Sequence, residues 1–265
     1  LTLSVSDAFL SDPETVYPVT IDPTITISDN TTGANSIIDA PIFEAKKNTN
    51  YAKYKYNTVG TTTASYGVGR TVVKLQGLID SIEYQSLYHH QIISVKFYVR
   101  DSSGTGKQFI HLYPLENINW TETGVTWTNV GNYCKDCDYG ATLSSGKVTA
   151  FDITELVCQW KWEEHYEDAG FILINSTETK NKSFCSSEYG TTSYRPYVEL
   201  TYTSELWLDE ESLNIAEGGT GSVIAITNPD GKKVTWEIKD KSIATISSTD
   251  NTTCVVKGVR AGKTE

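Results

Sequence analysis

A pair of closely spaced cysteines gives the sequence its sharpest chemical signal. Cys134 and Cys137 form a single CxxC motif, a pattern typical of half a zinc site, a redox pair or a disulfide-stabilised loop. Cys158 and Cys185 are the candidates for completing four thiolates, but one falls beside the apolar face of a predicted helix and the other in a predicted strand. We therefore expect an exposed loop without a bound metal, for which a local disulfide and free thiols both stay open. Cys254, in an alternating strand, is expected to be a buried thiol.

Aromatic side chains supply the second signal. Tyr51, Tyr54, Tyr56 and Tyr66 crowd a loop-rich segment, and Trp162 lies opposite the apolar face of a predicted helix. Exposed rings stack on the C–H faces of sugars, while neighbouring Asn, Asp and Lys side chains bond the hydroxyls. These five residues are the predicted candidates for glycan binding.

Motifs for catalysis are missing from the sequence. There is no HExxH, GxSxG or EF-hand pattern, and the Gly-x-Gly-Lys within residues 101–108 lacks the first Gly and the Ser or Thr of a P-loop. The acidic run of residues 162–168 is able to offer oxygen ligands to a structural calcium, but its irregular spacing favours a charged loop. We predict no catalytic residues and no cofactor, with a structural calcium as the open alternative.

The composition of the chain limits the classes of partner that we expect. The chain has 265 residues and a net charge of −11, from 22 Lys and Arg against 33 Asp and Glu, which argues against nucleic acid because phosphates require clustered basic side chains. No stretch approaches the ~20 apolar residues of a membrane helix. The sequence also lacks Met and a signal peptide, so we expect a piece of a longer precursor.

The elements that must position these residues are mainly strands. Residues 94–100 and 197–202 alternate apolar and polar side chains, and residues 171–174 are apolar on both faces, as in a strand covered above and below. Turn-rich spacers separate these runs. The pattern predicts an all-β protein with an antiparallel sandwich.

A single segment, residues 154–162, reads clearly as a helix. Leu156, Val157 and Trp160 fall on one helical face, and either Thr154 or Asp152 is suited to cap the first turn. Because two turns are marginal in isolation, this stripe is expected to pack onto the sandwich.

Changes in pattern along the chain predict three parts. Residues 1–28 read as a strand segment or linker from an upstream domain, residues 29–203 as the large sandwich and residues 204–265 as the Ig-like domain. The last part is short of the ~100 residues of an Ig sandwich, so we expect it to be incomplete at its C-terminal end.

Several segments resemble the DNRLRE family of secreted bacterial β-sandwich domains. "NWTETGVTW" at residues 119–127, "FDITELVCQW" at residues 151–160 and "SSEYGTTSYRPYVELTY" at residues 186–202 carry this resemblance, with Asp39 near its start. Cys185, where an aromatic residue is more usual, is a departure from the family pattern.

The C-terminal part resembles bacterial group 2 Ig-like domains through "VTWEIKDKSIATIS" and "CVVKGVRAGKT". Residues 17–27 look like the segment before DNRLRE domains in cell-wall-associated and RHS-type proteins. Together these resemblances imply an antiparallel jelly-roll-like sandwich plus a smaller Ig-like β-sandwich. They also imply a multi-module bacterial protein that is secreted or held at the cell wall or cell surface.

Two function classes follow. The first is a non-catalytic pair of surface modules acting in adhesion, display or as a structural spacer. The alternative is a carbohydrate-binding module attached to a polysaccharide-degrading enzyme. The expected partners are cell-surface or plant and host glycans and other modules of the same precursor, with no nucleic acid and no membrane.

Overall fold

A computed structural model describes most of the chain. The described residues are 24–28, 36–84, 87–103, 106–116, 118–163, 168–210, 212–228 and 234–265. Thr24–Tyr84 and Tyr88–Tyr202 form one compact unit, and Thr203–Glu265 belong to a second. The predicted upstream segment therefore lies largely outside the described residues, as do residues 164–167 of the acidic run.

The larger unit is built from two antiparallel sheets. Its strands are β1 (Thr24–Ser28), β2 (Ser36–Phe43), β3 (Tyr56–Thr61), β4 (Val68–Gln76), β5 (Ile92–Arg100), β6 (Gln108–Pro114), β7 (Ala141–Leu143), β8 (Val148–Asp152), β9 (Phe171–Asn175), β10 (Lys182–Cys185) and β11 (Tyr197–Tyr202). One sheet has the strand order β1-β11-β5-β8, and the other runs β10-β3-β4-β9-β6-β7, with β2 also paired to β4. The all-β, antiparallel prediction is confirmed.

Strand β9 occupies the centre of the larger sheet. All five of its residues are buried, and Leu173 pairs with Thr71 of β4 on one side and Leu112 of β6 on the other. This arrangement explains why residues 171–174 are apolar on both faces, since neither face of a covered central strand meets water.

Phenylalanine rings fill the space between the sheets. Phe97 of the smaller sheet and Phe171 of the larger one lie edge to face, with ring centroids 5.1 Å apart, and Phe151 packs beside Phe97 at 6.1 Å. All three are fully buried. Burying each such ring stabilises the fold by about 1.5–3 kcal/mol, so this layer holds the sandwich together.

Two short helices accompany the sheets: α1 (Leu78–Tyr84) and α2 (Thr154–Trp162). Helix α2 buries Leu156, Val157 and Trp160, as the sequence predicts. Its N-cap residue is Ile153, whose side chain makes no capping bond, and Oδ1 of Asp152 instead accepts a hydrogen bond from the Thr154 backbone N–H. Helix α1 was missed because its seven residues carry too short a pattern.

The second unit contains a four-stranded antiparallel sheet. Its strands are β12 (Glu205–Leu208), β13 (Thr220–Asn228), β14 (Ala244–Thr249) and β15 (Thr253–Gly258), in the order β12-β13-β15-β14. Val223 and Ala225 of β13 are buried and Ile224 between them is exposed, so one face of the sheet is covered. Cys254 is buried, as predicted.

Helices in the described part of the chain are all too short or too polar to cross a bilayer.

Candidate functional site

The large sandwich carries a cleft of about 580 Å³ that brings three of the predicted tyrosines together, and we call it the tyrosine cleft. Its lining consists of aromatic, hydroxyl and amide side chains. They are Phe43, Tyr54, Tyr56, Thr58, Thr62, Thr63, Tyr66, Ser102, Ser103, Asn181 and Ser183.

Strand β3 and the loops beside it supply one side of the cleft. Tyr56 and Thr58 alternate with the buried Asn57 and Val59, because successive side chains of a strand point to opposite faces. Tyr66 lies in the connection between β3 and β4, whose turn is closed by the hydrogen bond from the Tyr66 N–H to the Thr63 carbonyl. The residues of this side are therefore fixed by strand alternation and a tight turn.

The exposed rings rest on a buried one. Tyr51 is 8% exposed, with its ring centroid 4.9 Å from Phe43 and 4.8 Å from Tyr54. Tyr54 and Tyr56 are 40% and 45% exposed. Tyr51 thus supports the cleft from below, whereas Tyr54 and Tyr56 present ring surface to solvent.

The hydroxyls of Tyr54 and Tyr66 lie 3.1 Å apart. This hydrogen bond, followed by partial burial of the ring, raises the pKa of Tyr54 to about 12. The Tyr54 hydroxyl is therefore a neutral donor or acceptor at physiological pH.

A second wall of the cleft, in the same sheet as β3, is formed by the start of β10 and the loop after β5. The Ser102 N–H donates to the Ser183 carbonyl at 2.9 Å, and the hydroxyls of Thr58 and Ser183 lie 3.3 Å apart. Asn181 and Ser183 are only half-buried. Hydroxyl and amide groups of this wall therefore line the same cleft as the rings.

A fully buried ion pair lies behind this wall. Nζ of Lys182 is 2.8 Å from Oδ2 of Asp101, and both side chains have no exposed surface. Lys182 also donates to the Gly106 carbonyl at 2.6 Å, while Asp101 accepts from the Ser103 hydroxyl at 2.9 Å and the Gly146 N–H at 2.9 Å. Burial alone would raise the pKa of Asp101, but the hydrogen bonds from Lys182, Gly146 and Ser103 outweigh it and lower the pKa.

This pair was missed from sequence. Asp101 stands where a P-loop has its first glycine, and Lys182 belongs to an ordinary short strand. The available signal was the alternation of β10, in which Lys182 falls on the same face as the buried Phe184. A lysine on a core-facing strand position requires a buried partner.

A second buried carboxyl anchors the segment that carries the tyrosines. Asp39 accepts hydrogen bonds from the N–H and hydroxyl of Ser187 at 2.9 and 3.0 Å, and burial raises its pKa to about 7. The adjacent Ser186 donates its hydroxyl to the Tyr54 carbonyl at 2.6 Å and its N–H to the Lys55 carbonyl at 3.1 Å. Asp39 therefore positions Tyr54 through the Ser186–Ser187 turn.

Trp162 lies elsewhere, so the structure does not bring it together with the tyrosines. Its half-buried ring is 5.3 Å from His89, near a second cleft of about 530 Å³ beside α2 that we call the helix cleft. The lining of the helix cleft includes the carboxyl groups of Asp152, Glu155 and Glu163. Trp162 itself is not one of the side chains that line it.

The CxxC motif forms a turn against β6. Cys134 and Cys137 are half-buried, Lys135 and Asp136 between them are exposed, and the two Sγ atoms are 2.9 Å apart. The hydrogen bond between the thiols is the main cause that raises the pKa of Cys137 to about 11. Among the described residues, no group of three or more His, Cys, Asp and Glu side chains is placed to hold a metal ion.

The fold and the cleft define a class of protein: a β-sandwich binding module with an aromatic, hydroxyl-lined cleft, accompanied by an Ig-like β unit. Residues 30–202 match the sequence model of carbohydrate-binding module family 96, and the chain belongs to this family. Residues 207–265 match the bacterial Ig-like domain of group 2, which confirms the resemblance noted in the sequence. The resemblance to DNRLRE domains stays a prediction.

The chain also has curated relatives of low sequence identity. The chain is 24% identical over 250 residues to the tRNA3(Ser)-specific nuclease WapA of Bacillus spizizenii and, equally, to the tRNA nuclease WapA of Bacillus subtilis. The alignments cover 87% of this chain but 9% of each relative, so the chain spans a small fraction of their length.

Proposed function

We propose that the large sandwich binds carbohydrate through the tyrosine cleft and that the chain acts as a non-catalytic pair of modules outside a bacterial cell. Membership of family 96 supports carbohydrate as the ligand class. The observation that carries the site is the grouping of Tyr54, Tyr56 and Tyr66 around one cleft whose lining also carries hydroxyl groups. Rings that stack on sugar C–H faces, beside groups that bond sugar hydroxyls, form the two halves of a glycan site.

The Ig-like part supports the extracellular setting. Carbohydrate-binding and bacterial group 2 Ig-like domains are usual on extracellular proteins, and both match this chain. We propose that the Ig-like domain spaces the sandwich from other modules of a longer precursor, with cell-surface, plant or host glycans as the target. The boundaries near residues 29, 203 and 204 are part of this proposal.

Two roles are compatible with a glycan-binding sandwich: adhesion or display at the cell surface, and targeting of a polysaccharide-degrading enzyme in the same precursor. The nuclease activity of the WapA relatives belongs to proteins of which this chain matches 9%, so we do not assign it here. Both matching families are binding or Ig-like types, which supports a non-catalytic chain.

Affinity electrophoresis of the complete chain against a panel of soluble polysaccharides tests the proposal. Tyr54→Ala and Tyr56→Ala should each weaken binding about tenfold, which corresponds to ~1.4 kcal/mol. Trp162→Ala is the matched control. It removes another half-exposed aromatic ring that does not line the tyrosine cleft, so it should leave binding unchanged. Failure of the chain to bind any glycan would refute the proposal, and binding that depends on Trp162 would move the site.

A further inference from the structure

The turn that carries the CxxC motif holds two thiols against each other. Cys134 and Cys137 stand at its two ends, and their Sγ atoms are 2.9 Å apart. A disulfide needs about 2.05 Å between the sulfur atoms, so small rotations of the two side chains are enough to close the gap. Bond formation here therefore requires side-chain rotation rather than a new path of the backbone.

Strand β6 fixes the backbone on both flanks of the turn. On one flank, the Cys134 N–H donates a hydrogen bond to the Pro114 carbonyl at 3.0 Å. On the other flank, the Tyr139 N–H donates to the Leu112 carbonyl at 3.0 Å. Because both flanks are bonded to the same strand, the two ends of the turn are held together, and the closeness of the thiols is part of the fold.

The side chain of Asp138, the residue after Cys137, adds three contacts to this anchoring. Its Oδ1 atom accepts hydrogen bonds from the Leu112 N–H at 3.2 Å and from the Gly140 N–H at 3.0 Å. Its Oδ2 atom lies 2.6 Å from Nδ1 of His111. The turn is thus tied to β6 through side-chain as well as backbone groups.

Solvent access separates this pair from the other cysteines. Cys134 and Cys137 are half-buried, and the two residues between them are exposed. The other three thiols are buried, and burial is the main cause that raises the pKa of each. They are Cys158, Cys185 and Cys254. Since the attacking group is an accessible thiolate, an oxidant in solution reaches the pair before it reaches the buried thiols.

The surroundings of the pair do not complete a zinc site. A single CxxC supplies two of the four ligands of a structural zinc. Cys158 lines the helix cleft, and Cys185 belongs to β10. Within the described ranges, no cluster of three or more His, Cys, Asp and Glu side chains is arranged to hold a metal ion.

The surroundings also differ from those of a catalytic dithiol. Enzymes of thiol–disulfide exchange lower the pKa of one cysteine with a helix N-terminus or a nearby cation. At Cys137 the hydrogen bond between the thiols, partial burial and the carboxylates of Asp136 and Glu155 all act in the opposite direction and raise the pKa to about 11. Because the reduced pair has no stabilised thiolate at Cys137, its disulfide is not expected to be a strong oxidant of other thiols.

We infer that Cys134 and Cys137 are a modification site, a dithiol that a small-molecule disulfide converts into a disulfide within the turn. The thiolate of one cysteine attacks a sulfur of the oxidant, which forms a mixed disulfide and releases one thiol. The thiolate of the second cysteine then attacks the protein sulfur of the mixed disulfide and releases the second thiol. The pair loses two electrons and two protons, and the oxidant gains them and leaves as two thiols.

Treating the folded chain with oxidised glutathione at about pH 8.5, where an ordinary thiol is half ionised, tests the inference. The treated chain is then unfolded and its free thiols are alkylated. Mass spectrometry should find residues 134 and 137 unalkylated and the peptide lighter by two hydrogen atoms, with the other three cysteines alkylated. Because trypsin cleaves after Lys135, the disulfide should join two peptides that separate only after reduction.

Two variants serve as controls for this experiment. In Cys134→Ser the remaining Cys137 should stop at the glutathione adduct, because no second thiol displaces it. Cys254→Ser, which removes a buried thiol, should leave closure of the turn unchanged. Alkylation of both Cys134 and Cys137 in the treated wild type, a disulfide from either of them to another cysteine, or stoichiometric zinc held by the pair would overturn the inference.

Thermal unfolding of the oxidised and reduced chain measures whether closure fits the fold. A disulfide restricts the unfolded chain, and because the closed loop is short, the Tm of the oxidised form should rise by only about 2–4 °C. A lower Tm in the oxidised form would show that closure distorts the turn, which contradicts a preformed geometry. Neither cysteine lines the tyrosine cleft, so this inference and the proposed glycan site stand or fall separately.

Discussion

The tyrosine cleft and the helix cleft belong to the same sandwich and have similar volumes, about 580 and 530 Å³, but their linings differ in charge. The tyrosine cleft is lined by rings, hydroxyls and an amide, and the charges behind it are paired and buried. The helix cleft carries the carboxyl groups of Asp152, Glu155 and Glu163, all on exposed residues. Cavity volume alone therefore does not distinguish the two clefts, whereas the chemistry of their linings does.

Buried polar groups also support the segments that form the tyrosine cleft. Asp101 and Lys182 are buried and hydrogen-bonded to the loop after β5, and the buried Asp39 is hydrogen-bonded to Ser187, next to the Ser186 hydroxyl that bonds the Tyr54 carbonyl. Such polar groups are expensive to bury, and they bring loops into a fixed position only when they are fully paired. The predictions that follow test this support and then the linings, from the largest expected effect to the smallest.

Removing one partner of the buried ion pair should have the largest effect. Lys182→Met leaves Asp101 buried without its cation, so we expect a loss of about 3–5 kcal/mol in the free energy of unfolding. Lys180→Met is the control, since Lys180 is an exposed lysine two positions earlier and should change stability by less than about 0.5 kcal/mol. Urea unfolding followed by tryptophan fluorescence measures both, and equal stabilities would show that the pair does not support the cleft.

The second prediction concerns the pH dependence that Asp39 confers. Its pKa is raised from 3.8 to about 7 by burial, so the folded state holds a proton that the unfolded state loses above pH 4. Stability from this group is therefore fully present below pH 4 and is lost as the pH rises to about 7, by on the order of 4 kcal/mol.

Urea midpoints measured from pH 4.5 to pH 8 check this dependence. The wild type should become less stable across the range, and Asp39→Asn should flatten the slope, because the amide does not titrate. A wild-type slope that Asp39→Asn leaves unaltered would assign the titration to another group.

A subtler variant separates the ring of Tyr54 from its hydroxyl. Tyr54→Phe keeps the stacking surface and removes the hydrogen bond to Tyr66, so affinity for the bound glycan should fall only about threefold, against about tenfold for Tyr54→Ala. Isothermal titration of the three proteins against one ligand gives the ratio. An equal loss in both variants would mean that the hydroxyl, rather than the ring, makes the main contact.

The smallest effect is expected in the helix cleft. Glu155→Gln removes a charge there without changing shape, and glycan affinity should stay within about twofold of wild type. The same titration serves as the measurement. A larger change would make the helix cleft part of the site and would remove the contrast between the two clefts.

The part of the fold that could be predicted from the sequence is the part with local periodic patterns. Alternation in residues 94–100 and 197–202 and the doubly apolar run of β9 are local signals, and the structure places each of them in a sheet. Helix α2 was predictable for the same reason, because its stripe recurs at helical spacing. Helix α1 escaped because seven residues give about two turns, too few for a periodic pattern.

The candidate site was predictable only in part. The run of tyrosines pointed to the segment that lines the tyrosine cleft, but the sequence did not separate Tyr51, which is buried under Phe43 and Tyr54, from its exposed neighbours. It also grouped Trp162 with residues that the fold holds apart. The wall formed by Ser102, Ser103 and Asn181 had no recognisable motif.

The sequence by itself determined the elements: which runs become strands, where a helix packs, and which residue types are present to meet a sugar. These follow from local alternation and composition, which depend on neighbours along the chain. Only the tertiary structure decided which rings face solvent and which distant segments meet. The pairing of β3 with β10 and the burial of Asp101 against Lys182 join residues about 80 positions apart or more, and such contacts depend on register and packing that no local pattern encodes.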